Sequence, residues 1–274
     1  MQIDREIRTL LKGIIQKRKK AINNAEGPRD DLLGILLQSN IQENQDANIK
    51  NQGLTFKEVI NECKIFYMAG QETTSAVLTW TLILLGKHQD WQTRAREEVM
   101  AIFGKSNPDF CGLKHLKIMN MILQEVLRLY PPVTELARVV HEDIKIEDIF
   151  LPRGILVNLP ILLVQQDERL WGADAKEFNP ERFNKGISKA TGGNMSFFSF
   201  GWGPRICIGS NFAMTAAKMA LALILQRFNF ELSPHYTHAP IGIGTLQPQF
   251  GASIILHRRV GILVNAKVFL GLGG

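Results

Sequence analysis

The stretch Phe-Gly-Trp-Gly-Pro-Arg-Ile-Cys-Ile-Gly, residues 200–209, places one cysteine in a loop whose other positions mainly set the backbone shape. Gly201, Gly203 and Gly209 permit a positive φ or a close backbone approach, and Pro204 stiffens the turn between them. Such a density of shape-setting residues around a single sulfur indicates a loop built around Cys207.

The residues that follow the loop carry apolar side chains at helical spacing, starting near Ser210. Cys207 is therefore expected at or just before a helix N-terminus, where free backbone N–H groups and the helix dipole favour an anion. Arg205 adds a positive charge two residues earlier. Together these features favour a thiolate at Cys207, whereas the alternative reading is a buried structural thiol.

Composition bounds the possible functions. The chain has 274 residues with 45% hydrophobic content, enough for one large domain or two small ones. Its net charge is +6, but the basic residues are scattered and no nucleic-acid motif accompanies them, so we do not expect nucleic-acid binding. The chain has three cysteines, Cys63, Cys111 and Cys207. An odd number without metal-ligand spacing argues against a disulfide framework or a zinc site.

No membrane segment is predicted. Residues 1–21 form a charged amphipathic pattern without the apolar stretch of a signal peptide or anchor. The most apolar helical run, residues 76–86, is too short to cross a bilayer. We therefore do not expect this chain to be an integral membrane protein.

Periodicity predicts a mostly helical chain with a small strand-rich part. A long helix over 55–87 opens with a capping box formed by Thr55 and Glu58, and a second helix covers 116–129. Short strands follow, including one over 155–157. Residues 171–195 then form a meander rich in loop-forming residues.

The long helix contains Ala69-Gly-Gln-Glu-Thr-Thr74. Ala69 and Gly70 remove side-chain bulk, and Thr73 lies four residues from Ala69 on the same face, next to Glu72. An acid beside an alcohol within a helix is costly without a partner or a role. The alternative is a glycine-kinked core helix with Glu72 in an ion pair.

Glu125 and Arg128 are spaced to touch on one face of the second helix. Exposed helices often carry such pairs, so this spacing alone indicates little. A Pro-Glu-Arg-Phe string at residues 180–183 supplies Arg182 as a further cation.

The loop at residues 200–209 resembles the haem-binding loop of the cytochrome P-450 family, the haem-thiolate monooxygenases. The amino-acid sequence around this loop resembles that of the plant secologanin-synthase-like subfamily, whose members oxidise terpenoids. The resemblance extends over residues 1–258 as a partial domain, with 259–274 as a tail of unknown structure. It implies a mainly α fold with a small β subdomain, the C-terminal part of the family fold without its N-terminal part.

The resemblance also implies roles for the site residues. Cys207 would be the axial ligand of the iron of haem b (iron protoporphyrin IX), and Glu72 and Thr73 would relay protons to bound oxygen. Glu125, Arg128 and Arg182 would form a structural network that fixes the meander and the loop. Further cofactor-binding positions would be Arg205, Arg138, Phe200, Ala69, Gly70, Gly201 and Gly209. Substrate-recognition positions would be Val133, Thr134, Leu136, Ile243, Gly244 and Thr245.

The implied function is oxidation or hydroxylation of a lipophilic, terpenoid-like molecule with O₂ and electrons from NADPH through a flavoprotein reductase. One alternative is the branch of the family that rearranges fatty hydroperoxides without oxygen, but those proteins tend to lack the acid–threonine pair. The other is a truncated, non-catalytic fragment unable to hold haem.

Comparison with a full family member suggests a partial chain. The N-terminal half of such a protein brings a membrane anchor, the loop that closes the substrate pocket, and a helix whose Trp and Arg bind the haem propionates. Because the sequence contains no match to this N-terminal half, we expect a truncated gene, a partial gene model or a splice product. A full-length relative would lie on the cytosolic face of the endoplasmic reticulum membrane, and we expect this chain without the anchor in the cytosol.

Overall fold

The computed structural model of the chain describes residues 2–24, 31–45, 54–258 and 267–270, and it describes no side chains within 41–45 and 267–270. The chain divides into two compact units, residues 1–71 and 72–274. Each unit is described by itself below.

Helices dominate the described residues. They are α1 (Gln2–Asn23), α2 (Leu32–Gln45), α3 (Phe56–Lys87), α4 (Gln89–Phe103), α5 (Phe110–Leu113), α6 (Lys117–Leu129), α7 (Ile161–Gln165), α8 (Glu168–Trp171), α9 (Ile187–Ala190) and α10 (Ser210–Arg227). No helix among the described ranges is both long and apolar enough to cross a membrane.

The first unit contains α1, α2 and the beginning of α3. Its small core consists of Leu11, Ile15, Leu37, Val59 and Ile60. α3 begins immediately after Thr55, the first residue of the capping box: the N–H of Glu58 donates to the Thr55 hydroxyl at 3.3 Å, and the Thr55 N–H donates to the Glu58 carboxylate at 2.7 Å. Two of the N–H groups at the start of the helix are therefore satisfied locally, as the sequence predicts.

The second unit has a larger apolar core, to which α3, α4, α6 and α10 all contribute. Trp80, Leu123 and Leu221 are completely or almost completely buried at its centre. Gln92 links this helical core to a strand, because its amide accepts from the Phe230 N–H at 3.1 Å and donates to the Phe230 carbonyl at 2.7 Å. The helices that carry the candidate site are thus held by one continuous core.

The strands form small antiparallel sheets. They are β1 (Leu136–Val139), β2 (Ile144–Ile146), β3 (Ile149–Leu151), β4 (Leu156–Leu159), β5 (Phe228–Leu232), β6 (Pro240–Ile243), β7 (Thr245–Pro248), β8 (Ala252–Arg258) and β9 (Lys267–Leu270). In the described part of the chain, β1 pairs with β4, β2 with β3, β6 with β7, and β8 lies between β5 and β9. The strand expected over 155–157 is shifted to Leu156–Leu159.

The meander over 171–195 has more local structure than the sequence indicates. It contains a 3₁₀ turn at Pro180–Phe183 and the short helix α9, and buried Trp171, Ala175 and Phe183 form a cluster there. The tail over 259–274, whose structure is unknown from the sequence, contains β9, which pairs Val268 with Ile254 of β8. The other tail residues, 259–266 and 271–274, lie outside the described residues.

His238 provides a test of the packing in the second unit. Its ring nitrogens lie 3.1 Å from the Tyr130 hydroxyl and 3.0 Å from the Tyr236 hydroxyl, and its ring lies edge-on to Trp80. Partial desolvation of the His238 ring, which remains exposed, followed by the charge of Lys87, lowers the pKa of His238 below its usual value of 6.5.

Because the unfolded chain then binds the proton more tightly, the stability that depends on neutral His238 is complete above pH 6.5 and decreases as the pH falls through that value. We expect the urea concentration at the midpoint of unfolding to decrease when the pH is lowered from 7 to 5. The decrease should be smaller in His238→Gln. An equal decrease of the midpoint with pH in the two proteins would contradict this prediction.

Candidate functional site

The loop at residues 200–209 closes on itself through its backbone. The Cys207 N–H donates to the Phe200 carbonyl at 2.8 Å, and the Gly201 N–H donates to the Phe198 carbonyl at 2.7 Å. Gly201 and Gly203 adopt φ values of 73° and 71°, which side chains with a Cβ rarely accept. These two glycines make the reversal possible, and the cysteine side chain is left exposed.

The surroundings of the sulfur are apolar but uncovered. Ile206 is 54% exposed and Ile208 is 83% exposed on either side of Cys207. Gly209 has an ordinary φ of −91°, but a Cβ added there would lie 3.9 Å from the Cys207 Sγ. A thiol presented between exposed apolar side chains fits a large apolar cofactor that brings its own metal, as haem does.

A buried ion pair lies behind this loop, on α6. The Arg128 guanidinium donates to both Glu125 oxygens, at 2.7 and 2.8 Å, and both side chains are completely buried. Arg128 also donates to the backbone carbonyls of Gln165, Ala175 and Glu177, at 2.8, 2.5 and 3.2 Å. One buried cation therefore ties α6 to the end of α7 and to the start of the meander.

Arg182 joins this pair at longer range. Its Nε lies 3.7 Å from Glu125, whereas its Nη2 lies 2.7 Å from an Asp174 oxygen. A hydrogen bond from Asn179, and then the Arg182 guanidinium, lower the pKa of Asp174. The Asn179 N–H also donates to Glu125 at 2.9 Å. The network therefore includes Asp174 and Asn179, which the sequence did not indicate.

Gln165 is a connecting residue that sequence reasoning missed. Its amide donates to the carbonyls of Leu127 and Arg128 at 3.0 and 3.1 Å, and its oxygen accepts from the Phe198 N–H at 2.8 Å. The Ser199 hydroxyl lies 3.0 Å from the same oxygen. The completely buried Gln165 thus joins the last turn of α6 to the chain entering the cysteine loop. The sequence signal that could have identified Gln165 is its position as a polar residue at the end of the apolar run of α7.

The two segments predicted to recognise substrate meet in the structure. The Leu246 N–H, in β7, donates to the Pro132 carbonyl at 2.9 Å, just before Val133 and Thr134. In the same segment, Leu136 lies against the cysteine loop, since its Cδ1 would be 3.9 Å from a Cβ placed on Gly201.

The β6–β7 hairpin also reaches the acid of the AGQETT string. Gly244 turns the chain with φ 72°, and Ile243 beside it is 69% exposed. The Thr245 hydroxyl donates to the Glu72 carboxylate at 3.0 Å. Glu72 and its neighbour Thr73 are both half-buried. Contacts within the second unit therefore link the cysteine loop, Leu136, the hairpin and Glu72.

Further predicted site residues lie on α3, in the cysteine loop and on β1. Ala69 and Gly70 are exposed and belong to the first unit, so their predicted place above the cofactor remains a prediction. Arg205 is exposed in the loop. Arg138 is exposed on β1, where its guanidinium donates to the Ala137 carbonyl at 2.8 Å. Both arginines present a guanidinium that could pair with a carboxylate.

Comparison with known proteins gives consistent matches. A family profile described as Cytochrome P450 matches residues 1–253. The chain is 58% identical over 255 residues to "Cytochrome P450 72A552" of Barbarea vulgaris, which covers 93% of this chain and 49% of that protein. It is 58% identical over 258 residues to "11-oxo-beta-amyrin 30-oxidase" of Medicago truncatula, with 94% and 49% covered. The chain spans about half the length of the curated relatives it matches.

A solved structure shows the same fold. A crystal structure described as a cytochrome P450 (CYP102L1) matches with a TM-score of 0.80 and 28% identity, covering 93% of this chain and 56% of that one. The predicted fold class, mainly α with a small β subdomain, is confirmed.

The buried ion pair generates the first prediction for the site. Glu125→Ala leaves the Arg128 guanidinium buried without its counter-charge, which costs about 3–5 kcal/mol in unfolding free energy. Guanidinium denaturation measures the loss. The control is Glu181→Ala, which breaks the exposed pair of Glu181 with Arg94 and should cost about 0–1 kcal/mol. Similar losses for both variants would contradict the assigned importance of Glu125.

Gln165 generates a second prediction. Gln165→Leu keeps the side-chain volume but leaves the Phe198 N–H and the Arg128 carbonyl without this partner, at about 1–3 kcal/mol for each buried group. The Leu127 carbonyl retains the hydrogen bond from the Ser199 hydroxyl. The midpoint temperature of thermal unfolding should therefore decrease clearly. The neighbouring Gln166→Leu is the matched control, because half-buried Gln166 makes one hydrogen bond, to the Leu129 carbonyl. The prediction is wrong if the two variants lose equal stability.

Proposed function

Because the chain belongs to the cytochrome P450 family, we propose that it forms the thiolate side of a haem monooxygenase site. The observation that carries the proposal is the exposed Cys207 at the tip of a loop fixed from behind by the Glu125–Arg128 pair and Gln165. An isolated exposed cysteine needs no such support, whereas a metal ligand must be held in one position.

Bound haem would supply oxygen activation at its iron, and the residues of this chain would hold and serve it. Cys207 is the proposed thiolate ligand, and the tight turn at Gly201 and Gly203 keeps its sulfur outward. Arg205 and Arg138 are the proposed partners of the haem propionates, because an arginine fork pairs well with a carboxylate. Phe200 closes the loop through its carbonyl.

Glu72 and Thr73 are the proposed proton-delivering pair on α3. A carboxyl group can take up a proton from water and pass it to a hydroxyl, provided that the two groups are held near each other. Both side chains are half-buried, which limits but does not exclude water. Ala69 and Gly70, four and three residues before Thr73, are proposed to leave space on that face.

The proposed substrate is a lipophilic, terpenoid-like molecule. The support is the relative of Medicago truncatula named 11-oxo-beta-amyrin 30-oxidase, at 58% identity, together with the exposed apolar side chain of Ile243 beside the Glu72-bound Thr245. Val133, Thr134 and Leu136 would line the same region from the segment joined to this hairpin. Gly244 would set the position of the hairpin turn.

Electrons are proposed to come from NADPH through a flavoprotein reductase. For a full-length relative we propose attachment to the endoplasmic reticulum membrane on its cytosolic face. Both proposals follow from family membership.

The proposal predicts a specific spectrum. The reduced, haem-reconstituted 274-residue chain should show, with carbon monoxide, the red-shifted Soret band of thiolate ligation. Cys207→Ser should lose this band, because a hydroxyl does not replace a thiolate ligand. Cys111→Ser is the control, since Cys111 is also exposed but lies in α5. A chain that binds no haem would instead support the alternative of a non-catalytic fragment.

A further inference from the structure

Two polar side chains in β7 are buried, although a strand at this place could bury apolar residues at lower cost. Thr245 is 6% exposed and Gln247 is 8% exposed. They are two positions apart on one strand, so their side chains point to the same side of it. Burying a hydroxyl and an amide is costly unless both find hydrogen-bond partners.

Their shared partner is Glu72. The Thr245 hydroxyl donates to Glu72 Oε1 at 3.0 Å, and the Gln247 amide donates to the same oxygen at 3.3 Å. The Gln247 amide also donates to the Thr245 oxygen at 2.8 Å. The three groups form a closed triangle in which two of the three hydrogen bonds lead to the same carboxylate oxygen and the third joins the two donors.

The strand that carries these donors is itself fixed to the helix that carries the acid. The Trp80 indole N–H donates to the Leu246 carbonyl at 2.8 Å in the core. Trp80 follows Glu72 by about two helical turns and therefore lies on the same face of α3. The Leu246 N–H is bound to the Pro132 carbonyl at 2.9 Å. Both donors to Glu72 are thus held at a fixed distance from α3.

We propose that Thr245 and Gln247 are positioning residues for Glu72. They hold one oxygen of its carboxylate in place, and the other oxygen is left to exchange a proton. Among the described residues, Oε2 of Glu72 has no hydrogen-bond partner, which agrees with this division of work between the two oxygens. The inference rests on the proposed proton-delivering role of Glu72.

This assignment gives Thr245 a role that differs from direct contact with substrate. Its hydroxyl has one proton, and that proton is committed to Glu72. A substrate contact at the hairpin would fall instead to Ile243, whose side chain is 69% exposed.

The first arm of the test measures the contact without any cofactor. Unfolding free energies are determined for the 274-residue chain and for Thr245→Val, Glu72→Met, which removes the acceptor oxygens, and the double variant. Because the two groups share a hydrogen bond, the double variant should lose less than the sum of the single losses. Thr81→Val is the matched control: Thr81 is completely buried in α3, but its hydroxyl donates to the Val77 carbonyl. Its loss should add to that of Glu72→Met.

The second arm measures proton delivery in the haem-reconstituted chain with a flavoprotein reductase and NADPH, without added substrate. Poor delivery of protons diverts the reaction to NADPH + H⁺ + O₂ → NADP⁺ + H₂O₂, so peroxide formed per NADPH consumed is the readout. Thr245→Val and Gln247→Leu should each raise this ratio several-fold while the carbon-monoxide spectrum is unchanged. Thr245→Ser retains the hydroxyl and should restore the original ratio, as should the control Thr81→Val.

The outcomes separate this inference from the proposed function. Additive unfolding losses, or an unchanged peroxide ratio in Thr245→Val when Glu72→Gln raises it, overturn the inference and leave the monooxygenase proposal intact. A reconstituted chain without the thiolate Soret band overturns the proposed function and the positioning role together. Non-additive losses in that case would define the triangle as a packing contact only.

Discussion

The candidate site depends on one buried guanidinium. Arg128 has no exposure to solvent, so each of its donors must find an acceptor inside the protein. It finds the Glu125 carboxylate and three backbone carbonyls from the residues after α6. Carbonyls in loops are difficult to place because no ladder fixes them. A single planar cation that binds several of them converts an irregular segment into a defined one.

Gln165 extends this constraint to the cysteine loop. It satisfies two carbonyls at the end of α6, which a helix leaves without partners, and accepts from the Phe198 N–H on the way to Cys207. Buried polar groups are strongly directional because a misplaced partner costs the full desolvation energy. Residues that do not touch the sulfur therefore hold the segment that leads into its loop.

The opposite requirement applies at Glu72. In its proposed proton-delivering role Glu72 must keep some access to water, and it is half-buried rather than enclosed. The neutral donors Thr245 and Gln247 hold it without adding a counter-charge. The structure thus contains two differently supported acids: Glu125, enclosed with a cation, and Glu72, held by neutral groups at one oxygen.

The sequence by itself determined the helical fold class, the cysteine loop and the Glu125–Arg128 pair, because glycine spacing, helical periodicity and an i, i+3 pair are local properties of the chain. Only the tertiary structure decided the partners of Glu72 and the role of Gln165. Thr245 and Gln247 are separated from Glu72 by more than a hundred residues, and hydrogen bonds between such distant positions depend on how helices and hairpins pack. No local pattern encodes that packing.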